Sequence, residues 1–194
     1  MQQIRQDELY SLEKYAQIRK DFRAEVMAHK KDRQLPIGPH LTLYFEDRLT
    51  IQYQIQEMLR VERIFEAEGI REELDAYNPL IPDGSNLKAT MMIEFEDAGE
   101  RAGRLAEMVG IENNVWLQVD GFEKVAPVAD EDLERSTGDK TSAVHFLRFE
   151  FSGAMVKALR GGSVLSAGVE HKAYTYVVEA VPDNIRNSLL GDFD

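Results

Sequence analysis

Hydrophobic and polar residues alternate in several short segments of this chain from residue 40 onward. The segment LTLYFED at 41–47 alternates in this way, and KATMMIEF and SAVHFLRFEF resemble it. A period of two places successive side chains on opposite faces of a sheet, so each segment predicts a half-buried strand. The pair Asp120-Gly121 lies between two such runs and favours a tight hairpin turn.

Helical spacing precedes and interrupts these strands. A first helix is predicted within residues 1–35, capped by Asp7 or Ser11, and a second over about 49–77, where Gly69 is the least costly place for a break. Early helices followed by hairpin-joined strands indicate an α+β fold, with amino-terminal helices packed on a mainly antiparallel β-sheet. We expect a single domain over 1–194, made of a helical arm at 1–35 and an α+β body at 40–194.

Charge and composition exclude several classes of function. The net charge of -12 opposes binding to nucleic acid or to an anionic membrane surface. The absence of cysteine removes disulfides, thiolate nucleophiles and thiolate-held metals. No apolar run reaches the roughly 18 residues that a membrane span needs, and the first residues lack the apolar region of a signal peptide. We therefore expect a cytoplasmic protein, with homo-oligomerisation left open.

Two glutamates stand out in EMLRVERIFEAEG at 57–69. A continuous helix places Glu62 and Glu66 beside the apolar stripe, where a buried carboxylate needs a cation, a metal or a proton. His145 faces the core on its predicted strand, so Glu62, Glu66 and His145 are candidate ligands for a divalent metal such as Fe, Mn or Zn. The alternatives are a buried pair with Arg48, Lys88 or Arg148, and a helix-helix interface.

Basic residues cluster at the end of the first predicted helix. Arg23, Lys30, Lys31 and Arg33 form a locally positive surface in an acidic chain. This surface would suit docking of an acidic protein partner or a phosphate, and the alternative is a solvated face that pairs with acids of the same molecule.

The turn-rich segment NPLIPDGSN at 78–86 predicts a structured loop. Tyr77, Asn78, Asp83, Ser85 and Asn86 could bind a polar ligand there, or their side chains could satisfy their own turn. Further along, the acidic run ADEDLE lacks the spacing of a calcium loop, and Asp130 is expected to cap a short solvated helix.

Common catalytic motifs are absent from the sequence. It contains no GxxxxGK[ST], GxGxxG, HExxH or GxSxG, and no Glu-x-x-His repeat of a di-iron bundle. Neither nucleotide binding nor a serine nucleophile is therefore indicated.

Three long blocks carry a resemblance to a known family. EDRLTIQYQIQEMLRVERIFEAEG, EELDAYNPLIPDGSNLKAT and ADEDLERSTGDKTSAVHFLRFE are similar to the blocks of a bacterial family catalogued as a domain of unknown function. The similarity spans nearly the whole chain. Genes of that family often lie beside those for rubrerythrin and an iron-sulfur oxidoreductase-like protein, which implies a role near peroxide or redox metabolism. The resemblance implies no activity and no catalytic residue.

Three hypotheses for function follow. The first is a non-catalytic accessory protein that binds a protein partner in a redox or peroxide-detoxifying system. The second is a metal-dependent enzyme or metal-binding protein. The third is a small-molecule binding domain whose pocket lies between the sheet and the Tyr77–Asn86 loop.

Overall fold

A computed structural model describes residues 3–194, which form a five-stranded and a three-stranded sheet together with six α-helices. The helices are α1 (Leu12–Lys30), α2 (Arg48–Glu62), α3 (Ala67–Tyr77), α4 (Ala98–Glu107), α5 (Gly153–Arg160) and α6 (Asp183–Leu189). The strands are β1 (Gln34–Pro36), β2 (Leu41–Glu46), β3 (Asn86–Ile93), β4 (Val115–Val119), β5 (Val128–Ala129), β6 (Val144–Glu150), β7 (Leu165–His171) and β8 (Tyr174–Val178).

The larger sheet has the strand order β1-β2-β3-β6-β5, and all its neighbouring strands are antiparallel. The smaller sheet, β4-β7-β8, is antiparallel as well. The predicted α+β fold on a mainly antiparallel sheet is therefore confirmed, and the three alternating segments form β2, β3 and β6.

The main apolar core takes its side chains from both sheets. Along β2, for example, Leu41, Leu43 and Phe45 are buried while Thr42 and Tyr44 are half-buried. Alternation thus gives the larger sheet one face sealed against the core and a second face of mixed polarity. The mixed face lies on the side of the helices α1 and α2.

The predicted turn at Asp120-Gly121 forms, with Gly121 in the left-handed region at φ 82°. The chain that follows it pairs with β4 through an isolated bridge between Leu117 and Val125. Residues 128–129 then join the other sheet as β5.

The helices α2 and α3 pack around a second, smaller apolar cluster. Its buried members are Ile4, Ile51, Ile55, Leu59, Leu74 and Ile81. The helix predicted over about 49–77, with Gly69 as the possible break, forms as two helices, and the break lies earlier than predicted because the chain turns between α2 and α3. Arg63 takes a left-handed conformation at φ 56°, which lets Ile64 pack against this cluster.

Gly69 does not break a helix, since it lies within α3. A Cβ atom at Gly69 would lie 2.7 Å from Cγ2 of Ile64. Glycine at this position therefore allows the close approach of Ile64 after the turn.

Polar contacts attach α1 to α2. The carboxylate of Glu57 accepts two hydrogen bonds of 2.8 Å from Arg19 and one of 2.7 Å from the hydroxyl of Tyr15. On the same helix, Gln56 accepts a hydrogen bond from the backbone N–H of Tyr10 at 2.6 Å. Ser11 caps α1, as predicted. The amino-terminal helix is thus held against the rest of the chain by directed bonds as well as by apolar contact.

Glu57 should make stability depend on pH. The hydrogen bonds from Arg19 lower the pKa of Glu57 to about 2. A carboxyl group with a lowered pKa in the folded state stabilises the fold above its unfolded pKa, and this stability is lost as the pH falls through the folded pKa. We expect Glu57→Gln to lower the free energy of unfolding near neutral pH by about 2 kcal/mol, allowing for solvent screening. Urea unfolding at several pH values measures this change.

The matched control is Glu25→Gln, which changes an exposed glutamate of α1. The control should leave stability nearly unchanged. An equal loss of stability in both variants at neutral pH would contradict the role given to Glu57.

Candidate functional site

A cavity of about 820 Å³ lies between the mixed face of the larger sheet and the helix layer. Its existence follows from the way the helices pack. The buried side chains of α2 turn toward α3 and the amino-terminal segment, so the sheet face beneath them is incompletely covered. The residues that line this cavity are Met27, Lys30, Lys31, Gln34, Tyr44, Glu46, Thr50, Ile51, Gln54, Tyr77, Leu80, Thr90, Met92, Val144 and Phe146.

The floor of the cavity is set by strand register. Tyr44 and Glu46 of β2, Thr90 and Met92 of β3, and Val144 and Phe146 of β6 are the half-buried positions that alternate with core positions. Antiparallel pairing brings Tyr44 opposite Thr90, and Thr90 opposite Phe146. The sheet thus presents large apolar and aromatic side chains to the cavity, with the polar side chains of Glu46 and Thr90 among them.

One carboxylate, that of Glu46, lies in the floor of the cavity and already accepts hydrogen bonds from hydroxyl groups of the protein. Glu46 accepts a hydrogen bond from the hydroxyl of Thr50 at 2.6 Å and another from the hydroxyl of Thr90 at 2.7 Å, one on each oxygen. Nearby, burial raises the pKa of Tyr44, so its hydroxyl stays protonated at neutral pH.

Two cations of α1 and its end also line the cavity. Lys30 is the last residue of α1, and Lys31 begins the 3-10 turn that follows. The Nζ atom of Lys30 lies 5.8 Å from the centroid of the Tyr53 ring. Within residues 3–194, neither lysine forms an ion pair.

The four residues of the expected docking surface lie in two different environments. Arg23 and Lys31 are exposed and Lys30 is half-buried, whereas the side chain of Arg33 is only 2% exposed, so the surface placement of Arg33 is wrong. Its guanidinium donates to the backbone oxygens of Phe45 and Glu46 at 3.1 Å, and to Asp192 at 2.5 Å. Arg33 therefore joins the larger sheet to the carboxyl-terminal segment. Docking through the other three residues stays a prediction.

The burial predicted for Glu62 and Glu66 is wrong. Both are exposed, and so is Phe65 at 63%, because α2 ends at Glu62 and Glu66 precedes the first residue of α3. The buried stripe of α2 runs through Ile51, Ile55 and Leu59 instead. In the described part of the chain, no three His, Asp or Glu side chains are grouped so as to hold a metal ion.

His145 is fully buried, as its strand pattern predicted, and lies in a separate polar network. Its Nδ1 atom lies 2.6 Å from Asp130, and its Nε2 atom lies 2.8 Å from the hydroxyl of Thr141 and 3.1 Å from the carbonyl oxygen of Ser142. Glu112 completes the network through hydrogen bonds from Ser136 and Thr141. With His145 0% and Thr141 2% exposed, a substrate has no access to the imidazole.

Asp130 does not cap a helix, since no helix forms at 130–134. Its backbone is left-handed at φ 52°, a conformation that a residue with a side chain adopts when its surroundings hold it. The carboxylate also accepts the backbone N–H of Phe146 at 2.9 Å. Asp130 thus fixes one end of the 130–141 loop to β6. The sequence alone gave no signal for this role, because the partners lie 15 or more residues apart.

The predicted ligand loop is mostly occupied by its own hydrogen bonds. Asn78 exchanges hydrogen bonds of 2.8 and 2.9 Å with the backbone of Ile4. Asp83 accepts from the N–H and the hydroxyl of Ser85, and Asn86 donates to Glu150 at 3.0 Å. Of the five predicted ligand residues, Tyr77 lines the cavity, and Leu80 of the same loop lines it as well.

Replacing Arg33 tests its structural role. Burial raises the pKa of Asp192 to about 6, even though Arg33 donates to it. Arg33→Met should lower the free energy of unfolding by about 4 kcal/mol near pH 8, because it leaves a buried carboxylate without its cation. The loss should be smaller near pH 5, where Asp192 is already mostly protonated in the folded protein.

Arg23→Met is the matched control for this variant, since Arg23 is exposed on α1. Chemical unfolding of both variants at the two pH values measures the difference. Equal and small losses would show that the contacts of Arg33 contribute little.

Replacing His145 tests the polar network. His145→Ala removes the hydrogen bonds of the imidazole with Asp130 and Thr141 from a buried site, so the free energy of unfolding should fall by about 3 kcal/mol. Trypsin should then cut more rapidly in the 130–141 loop, after Arg135 or Lys140. A chelator should not change the melting temperature of the wild type, and a chelator effect that matches His145→Ala would instead indicate a bound metal.

Within residues 3–194, no helix combines the length and the apolar character needed to cross a membrane.

Comparison with known proteins identifies the family to which the chain belongs. A search of the curated proteins finds no match. A solved structure, described as that of a novel protein of unknown function from Burkholderia pseudomallei K96243, is 51% identical and has a TM-score of 0.94, with 100% of each chain covered. The profile of the family described as protein of unknown function (DUF3501) matches residues 3–193. The chain therefore belongs to the DUF3501 family.

Proposed function

We propose that this protein binds a small organic molecule in the cavity between the larger sheet and the helices α1 and α2. The observation that carries the proposal is the cavity itself, with a volume of about 820 Å³ and walls that include Met92, Val144 and Phe146. Binding sites for small molecules are typically concave, of roughly 300 to 1,000 Å³, and mainly apolar with a few polar groups. The third hypothesis expected a pocket between the sheet and the Tyr77–Asn86 loop. Tyr77 and Leu80 of that loop line the proposed cavity, and residues of α1 and α2 form the rest of its helical side.

The cavity has apolar walls and a few polar groups, among them the carboxylate of Glu46 and the hydroxyl of Tyr44. Glu46 is fixed by two hydroxyl groups, and the neutral hydroxyl of Tyr44 can donate or accept a hydrogen bond. Such groups orient a ligand whose affinity comes mainly from apolar burial. They do not form a nucleophile with an adjacent base, so binding is a better proposal than catalysis.

An accessory role in redox or peroxide metabolism stays a prediction. A ligand-binding protein can also serve as an accessory protein, so the two hypotheses are compatible. The exposed residues Arg23 and Lys31 leave a surface on which a protein partner could dock.

A pair of matched substitutions tests the proposal. Val144→Trp places an indole ring in the cavity, whereas Val177→Trp adds the same bulk to an exposed position of β8 outside it. Octanol and octanoate serve as probes with the same apolar body, and two-dimensional amide NMR follows the signals of β3 and β6. We expect at least one probe to shift these signals in the wild type and in Val177→Trp, and neither to shift them in Val144→Trp.

The stability of each variant is measured beside its binding. Val144→Trp fills empty space rather than the packed core, so its unfolding should stay cooperative. Binding that survives in a folded Val144→Trp protein would place the ligand elsewhere and contradict the proposal.

A further inference from the structure

Two lysines at the cavity have no acidic partner, although the chain as a whole carries a net charge of -12. Two arginines of the same region do have acidic partners: Arg19 binds Glu57, and Arg33 binds Asp192. Within residues 3–194, neither lysine forms an ion pair, and the Nζ atom of Lys30 lies over the ring of Tyr53 at 5.8 Å. Within the described residues, Lys14, Lys20 and Arg23 of α1 also form no ion pair, but they are exposed outside the cavity. Lys30 and Lys31 differ from them because they line a largely apolar space.

The charged side chains that line the cavity carry a net positive charge. Its lining includes one carboxylate, that of Glu46, against the two ammonium groups of Lys30 and Lys31. Hydroxyl groups of Thr50 and Thr90 bind the Glu46 oxygens, so this carboxylate is held by neutral donors rather than by either lysine. A bound molecule with one negative charge would leave the lining neutral.

The apolar part of the cavity decides what kind of anion fits. Met92, Val144 and Phe146 offer an apolar and aromatic wall on the sheet side. A small inorganic anion would gain nothing from that wall and would be repelled by the field of the acidic protein. An anion with an apolar body gains the burial of that body and a charge-assisted hydrogen bond at its head.

We propose that the ligand of this cavity is an amphipathic organic monoanion, with its acidic head bound by Lys30 and Lys31 and its apolar body packed on the sheet. The proposal rests on the function proposed above and names the chemical class of its ligand. It also gives the two lysines of the basic cluster a role other than protein docking.

Three probes with one apolar body and different heads test this class: octanoate, octanol and octylamine. Isothermal titration calorimetry measures the affinity of each for the wild type at low ionic strength. Octanoate should bind about tenfold more tightly than octanol, the equivalent of one charge-assisted hydrogen bond. Octylamine should bind most weakly, because its ammonium group meets two like charges.

Substitution of Lys30 and Lys31 is compared with substitution of two lysines that lie earlier in α1. Lys30→Gln combined with Lys31→Gln should weaken octanoate binding about tenfold and leave octanol binding unchanged. Lys14→Gln combined with Lys20→Gln makes the same change in net charge at exposed positions outside the cavity. This control pair should leave all three affinities unchanged.

The possible outcomes distinguish failure of the proposed ligand class from failure of the proposed binding function. If octanol binds as tightly as octanoate, or octylamine binds best, and Val144→Trp abolishes that binding, the cavity binds ligands but the anionic class is overturned. If both lysine pairs weaken octanoate equally, the effect is a long-range one and the head-group site is overturned. If none of the probes binds the folded wild type, both proposals fail.

Discussion

The side-chain alternation of β2, β3 and β6 is the constraint on which the rest of this structure depends. On one face these strands are apolar apart from the buried His145, and that face is sealed against the smaller sheet in a common core. On the other face Glu46, Thr90 and Arg148 stand among Tyr44, Met92 and Phe146. A face of this composition cannot be buried as an apolar core, because its charged groups would lose their hydration without enough partners. It can, however, form one wall of a solvated cavity.

The helix layer is consequently held by directed polar contacts at its margins and by its own apolar cluster. Arg33 attaches the end of the amino-terminal helical region to β2 of the larger sheet and to Asp192, and Glu57 attaches α1 to α2. The apolar cluster of α2 and α3 is separate from the main core. This arrangement keeps the helices in place without closing the space between them and the sheet. The candidate site is therefore a product of how two layers are joined, and its lining comes from segments far apart in the chain.

Much of the fold could be read from local patterns, because those patterns report the periodicity of single elements. The strands β2, β3 and β6, the turn at Asp120-Gly121 and the cap at Ser11 were all predicted from neighbouring residues alone. The residues of the candidate site were harder to predict from local patterns. Glu62 and Glu66 were placed on one buried helix face because a continuous helix was assumed, whereas a left-handed Arg63 reorients the chain between them. Burial of Ile64 favours that turn, and the contact is visible only in three dimensions.

The sequence by itself determined the class of fold, the buried position of His145 and the lack of thiol chemistry, since each follows from composition or from a local period. Tertiary structure alone decided the environment of each charge. Arg33 and Lys31 are two residues apart in the same basic cluster, yet one is enclosed by backbone oxygens and Asp192 while the other faces a cavity without an acidic partner. The physical reason is that the free energy of a charge depends on its solvation and on its nearest partners, which packing brings together from distant parts of the chain.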